Sequence, residues 1–182
     1  MAIRSNRFIT TALIIATASI VAPHTSHATD RPRPRNSIQA DLGLAVIGLA
    51  YERVFTPYVA VQFEAQIFGT WFGPLFGFPD FNGFGGQVRP TFFLFGTAPE
   101  GVYLAPFLRV NQVSAQANGE TGTGVGFSTG VFLGYSVLIA NRLNFRIGVG
   151  GQYLSYKVYA GETAVRFQTL FPALDLVLGY SF

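Results

Sequence analysis

From Tyr58 onward, apolar side chains recur at every second position. Val59, Val61, Phe63, Ala65 and Ile67 alternate with Ala60, Gln62, Glu64, Gln66 and Phe68. Successive side chains of a strand point to opposite faces, so this segment has one apolar and one largely polar face. The same alternation predicts strands over Gly83–Phe95, Val102–Ala115, Thr123–Ile139, Arg142–Tyr159 and Val165–Phe182. Breaks rich in Gly, Pro, Asn and Asp separate them. Phe55–Pro57, Gly96–Gly101 and Ala140–Asn141 read as short turns, whereas Gly73–Asn82, Ala117–Gly122 and Ala160–Thr163 read as longer or looser connections. After residue 28 no apolar run approaches the roughly 20 residues of a membrane helix. Apolar residues are dispersed in dyads, which suits a closed sheet whose backbone groups are all paired in lipid.

The last strand carries the clearest signal. Leu174, Leu176, Leu178, Tyr180 and Phe182 share one face, and the chain ends on the aromatic itself. This pattern resembles the C-terminal strand of bacterial outer-membrane β-barrels. The resemblance implies that these residues are read by the barrel assembly machinery and that the C-terminus faces the periplasm. Barrels of this class have an even number of strands. Counting back from Phe182 therefore requires two strands within Ser37–Arg53, reversing in Gly43–Gly48. The segment Gly48-Leu-Ala-Tyr-Glu52, followed by a turn and a long strand, is similar to a largely uncharacterised group of outer-membrane barrels with a short first hairpin. The expected fold is all-β, an eight-stranded antiparallel up-and-down transmembrane barrel.

The N-terminus points to the same compartment. A basic start through Arg7, an apolar run from Phe8 to Ala22 and small residues at Ser26 and Ala28 predict a secretory signal peptide over residues 1–28. Residues 29–36, with Arg31-Pro-Arg-Pro-Arg35, read as a basic Pro-rich arm in solvent, and 37–182 as the barrel. An electrostatic contact of the arm with anionic lipid is the alternative. Cleavage would remove His24 and His27, and cysteine is absent from the chain. Zinc sites built from Cys or His, disulfides and His-dependent nucleophilic catalysis are thereby excluded. The net charge of +3 falls near +1 without Arg4 and Arg7, which gives no reason to expect nucleic acid. No cofactor or metal is expected, and no enzymatic activity. The Gly-rich stretch Gly119–Gly130 lacks the Lys-Ser/Thr ending of a phosphate loop.

Nearly every strand charge falls on the inward face: Asp41, Glu52, Glu64, Arg89, Arg109, Arg146 and Asp175. An Arg facing lipid at mid-membrane would cost roughly 2–4 kcal/mol, so the partition is energetically required. A soluble lipocalin-like barrel would need the opposite arrangement. Hairpin geometry places Glu64 near Arg89, and Arg89 near Arg109, predicting a Glu64–Arg89–Arg109 cluster with Gln62, Gln66 and Gln87 to satisfy the remaining donors. Two readings compete for it. One is a salt-bridged plug, since eight strands leave room for little more than side chains. The other is a charged constriction for ions or small solutes, or a small-ligand or lipid-binding transport barrel.

Pro90, Pro106 and Pro172 lie within predicted strands, where each removes a ladder donor. Folding about Gly96–Gly101 sets Pro90 and Pro106 at nearly one depth, so a bulge or weakened ladder is expected there. The outer-loop stretch Trp71–Phe84 is crowded with aromatics. Trp71, Phe72 and Phe84 fit an aromatic girdle. Phe76, Phe78 and Phe81 are candidates for a lid, a lipid contact or an unidentified loop partner. The expected surroundings are outer-membrane lipid and lipopolysaccharide.

Overall fold

The predicted alternation runs through eight antiparallel strands in the computed structural model, which describes residues 33–70, 81–117, 120–160 and 163–182. They are β1 (Asn36–Gly43), β2 (Val46–Thr56), β3 (Val59–Gly69), β4 (Asn82–Thr97), β5 (Glu100–Ala117), β6 (Glu120–Ile139), β7 (Leu143–Ala160) and β8 (Thr163–Ser181). Each pairs with its sequence neighbours, and β1 closes the ring against β8. Main-chain hydrogen bonds between Asn36 and Phe182, at 2.8 and 3.1 Å, seal that junction. The chain has the fold of an eight-stranded up-and-down transmembrane barrel. The segment expected to be a signal peptide, residues 1–28, lies outside the described residues.

The strand parity argument locates the first hairpin well. The reversal falls at Leu44 and Ala45, inside the expected Gly43–Gly48 window, and β1 is only 8 residues long. Arg33, in the predicted solvated arm, reaches the β4–β5 turn, donating to the Thr97 carbonyl at 2.6 Å beside Glu100. At Ala140 and Asn141 φ is positive, 53° and 58°. Two consecutive positive φ angles define the hairpin turn whose twist matches the flanking strands.

The far-end connections differ from expectation. Pairing continues to Ala117↔Glu120 and Ala160↔Thr163, so the segments read as looser loops are mostly strand. Length is carried instead by the wall: β5 to β8 have 18 to 20 residues, against 8 and 11 in β1 and β2.

The stagger follows from the register. Stepping across partners from Leu178 through Ala40, Leu49, Ala65, Gly86, Val110, Phe127 and Ser155 returns to β8 at Gln168, ten residues from the start. For eight strands this stagger tilts them by about 40° and leaves an interior filled by side chains. Outward positions such as Phe63, Leu94, Leu108, Leu133, Ile147 and Leu178 are exposed, while inward neighbours are buried. The expected weak ladder is present. β4 and β5 pair at Val88↔Leu108 and again at Phe92↔Leu104, with no pairing between, where Pro90 would face Pro106.

Candidate functional site

The inward face builds the site. Alternation sends Asp41, Glu52, Glu64, Arg89, Arg109, Arg146 and Asp175 into the lumen, and all seven are buried. Small inward residues make room for them. A Cβ on Gly48 would overlap the Glu64 carboxylate, and one on Gly134 or Gly148 would meet the Tyr103 hydroxyl at 2.5 Å.

Arg89 lies at the centre. Its Nη1 donates to Asp175 Oδ1 at 2.6 Å and stands 3.6 Å from Asp41 Oδ2. The Tyr103 hydroxyl donates to the other Asp175 oxygen. The guanidinium carbon of Arg89 is 5.6 Å from the Phe132 ring centroid, so the cation also meets an aromatic face. Nearer the chain termini, Arg146 Nη2 contacts both Glu52 oxygens at 2.9 and 3.0 Å. Gln39 donates to the same Glu52 at 3.1 Å and to Ser37 at 2.8 Å.

The predicted Glu64–Arg89–Arg109 cluster is not formed as a direct triad. Glu64 pairs across the hairpin with Gln87, two positions from Arg89, and Arg89 pairs with Gln62. Gln87 instead links the outer two members. Its amide donates to Glu64 at 2.8 Å and accepts from Arg109 Nε at 2.7 Å. Arg109 also donates to Gln152 at 3.1 Å and lies 4.6 Å from the Phe107 ring centroid. Gln66 donates to Asn111 at 2.8 Å, whose amide donates to Tyr156 at 3.3 Å.

Sequence reasoning missed the contacts that cross the lumen. Asp175 with Arg89, and Glu52 with Arg146, join strands that are not neighbours in the wall. Only the narrow bore of an eight-stranded barrel could have pointed to them.

Apolar layers lie to either side of these charges. Toward the far end, Phe68, Phe81, Leu154, Tyr156, Val158 and Phe167 pack with Val46 and Val113. The Phe81 ring sits 6.0 Å from Tyr156 and 5.8 Å from Phe167. Phe81, a candidate for a lid, a lipid contact or a loop partner, is fully buried in the barrel mouth, its backbone bonded to Thr70. Phe76 and Phe78 lie outside the described residues, as do Trp71 and Phe72. Phe84 faces outward and is exposed, where a girdle residue would be. The second layer gathers Phe93, Tyr103, Phe107, Phe132, Ala60 and Ala173.

Leu174, Leu176, Leu178, Tyr180 and Phe182 share the outward face of β8 and its end, alternating with buried Asp175, Val177 and Ser181. Among the described residues no cluster of three or more Asp, Glu, His or Cys side chains is arranged to hold a metal.

Neither the family models nor the curated proteins compared contain a match. Solved structures do. The N-terminal β-barrel domain of Pseudomonas aeruginosa OprF superposes with a TM-score of 0.55 at 13% identity, covering 82% of this chain and 98% of that one. Neisserial surface protein A gives a TM-score of 0.53 at 13% identity, over 81% of this chain and 95% of that one. Both are eight-stranded outer-membrane barrels, and the likeness is one of fold.

Proposed function

We propose that the protein is a closed, non-catalytic barrel of the outer membrane of a Gram-negative bacterium, with both chain termini at the periplasmic end. Its role is structural or interaction-based and is exercised through the opposite, outer end. One observation carries the closed lumen. Arg89 and Arg146 are fully buried in paired contacts with Asp175 and Glu52, so the charges that would line a pore are occupied in filling it. The outward apolar band and the fold shared with outer-membrane barrels support the location.

A narrow pore or small-ligand barrel is favoured by a different observation. The Gln62 amide, the Thr91 hydroxyl, and Nε and Nη2 of Arg89 are buried without a protein partner. Such atoms are polar capacity that a hydrated path could use. Planar-bilayer recordings of the purified barrel decide between the two. The closed reading expects no steady openings. Steady single-channel openings, with selectivity altered by Arg109→Gln, would establish the pore.

A further inference from the structure

The outward faces of β7 and β8 form a ladder of matched rows. Leu143 pairs with Tyr180, and ten residues further along Tyr153 pairs with Leu170. At about 3.3 Å per residue and a tilt near 40°, these rows span about 25 Å along the barrel axis. That is the height of the apolar band of such barrels. Beyond it the character changes. Ser155 pairs with Gln168, whose amide donates to the serine hydroxyl at 3.3 Å, and Lys157 then pairs directly with Arg166.

Two like charges set directly opposite one another on adjacent strands destabilise the pair. Among the described residues neither has a carboxylate partner. Lys157 is held instead over the Tyr159 ring, with Nζ 4.4 Å from its centroid. The basic row stands four residues past the last apolar row, about 10 Å higher along the axis. That is headgroup depth.

A second feature lies directly below, on the same two strands. Gly151 faces outward, and a Cβ there would meet nothing within 4 Å. Around it Thr129, Tyr153, Leu170 and Pro172 border a groove of about 490 Å³. An apolar groove within the band, capped at phosphate depth by two cations that carry no ion pair among the described residues, is the shape of a phosphorylated amphiphile.

We infer that this face of β7 and β8 binds one molecule of lipopolysaccharide from the outer leaflet. Lys157 and Arg166 take a lipid A phosphate, and the Gly151 groove takes an acyl chain. The inference rests on the proposed orientation, which turns this end of the barrel outward. Lipid retained by the full-length protein after mild detergent extraction from outer membranes is read by native mass spectrometry, alongside K157Q/R166Q and G151L. The delipidated, refolded barrel is then titrated with defined lipopolysaccharide, its dephosphorylated form and phosphatidylglycerol.

Wild type should retain about one lipopolysaccharide per barrel. K157Q/R166Q should retain at least about tenfold less, and G151L several-fold less. The dephosphorylated lipid should bind wild type as weakly as intact lipopolysaccharide binds K157Q/R166Q. Equal retention by wild type and K157Q/R166Q would overturn the site, and so would equal affinity for phosphatidylglycerol. Heat-modifiable migration and conductance of the same preparations report on the barrel itself. Absence of selective lipopolysaccharide binding by wild type, with both unchanged, therefore sinks the site and leaves the closed-barrel proposal standing.

Discussion

At the scale of single residues, Asp175 is where the lumen's contacts converge, taking a donor from Arg89 on one oxygen and from Tyr103 on the other. Removing it leaves Arg89 fully buried, with Asp41 at 3.6 Å the one remaining ion-pair partner among the described residues. Breaking a buried pair in this way costs about 3–5 kcal/mol, because the remaining charge stays desolvated. Asp175→Ala should therefore lower the unfolding free energy of the vesicle-folded barrel, measured by urea titration, by that amount. Exchanging all three members of the group, as R89M/D41L/D175L, should come out near neutral, since well-packed apolar residues replace buried ion pairs without penalty. A triple variant as unstable as the single one would show that the charges do more than fill space. The inward placement of these side chains was legible in the sequence, because period-two alternation fixes the face. Their partners were not. Arg89 and Asp175 are 86 residues apart and Arg146 and Glu52 are 94 apart, and only ring closure brings them together.

Among elements, legibility followed the tightness of the turns. The β4–β5 turn is short and flanked by Gly96 and Gly101, both at positive φ, and it set the register closely enough to place Pro90 against Pro106. The β3–β4 connection is longer in sequence, which left the register open, and Glu64 stands opposite Gln87 rather than beside Arg89. A slip of an even number of residues keeps every side chain on its face, so the alternation gives no warning of it. The looser connections predicted at the far end failed for a related reason. Small and polar residues that read as loop continue as paired strand beyond the apolar band, where outward polarity is favourable. The proline seam in turn has a measurable consequence. Proline cannot donate to the ladder, and two opposite one another remove pairing from both strands at once. P90V/P106V should close the seam, raise the urea midpoint and increase the unfolding free energy by roughly 1–2 kcal/mol, about one or two net hydrogen bonds. A lower midpoint would mean that the break is needed to shape the wall around Arg89 and Phe107.

For the molecule as a whole, ring closure uses the backbone of Phe182 and leaves its side chain facing outward. The ring is sealed by main-chain hydrogen bonds between Asn36 and Phe182, while the Phe182 side chain points outward and is 56% exposed. Any residue with a normal backbone can make those bonds, so they do not explain why the chain ends on an aromatic. If the row from Leu174 to Phe182 serves recognition by the assembly machinery, Phe182→Ala should separate two measurements that usually move together. Purified protein folded from urea into detergent micelles should reach the same heat-modifiable yield as wild type within about twofold, because the lost side chain faces outward and is more than half exposed. In cells, the amount reaching the outer membrane should fall several-fold, with unassembled chain accumulating in the periplasm. An equal loss in both measurements would make the aromatic a packing residue of the finished barrel. An unchanged level in cells would remove the assembly role, leaving the outward row of β8 as lipid-facing surface alone.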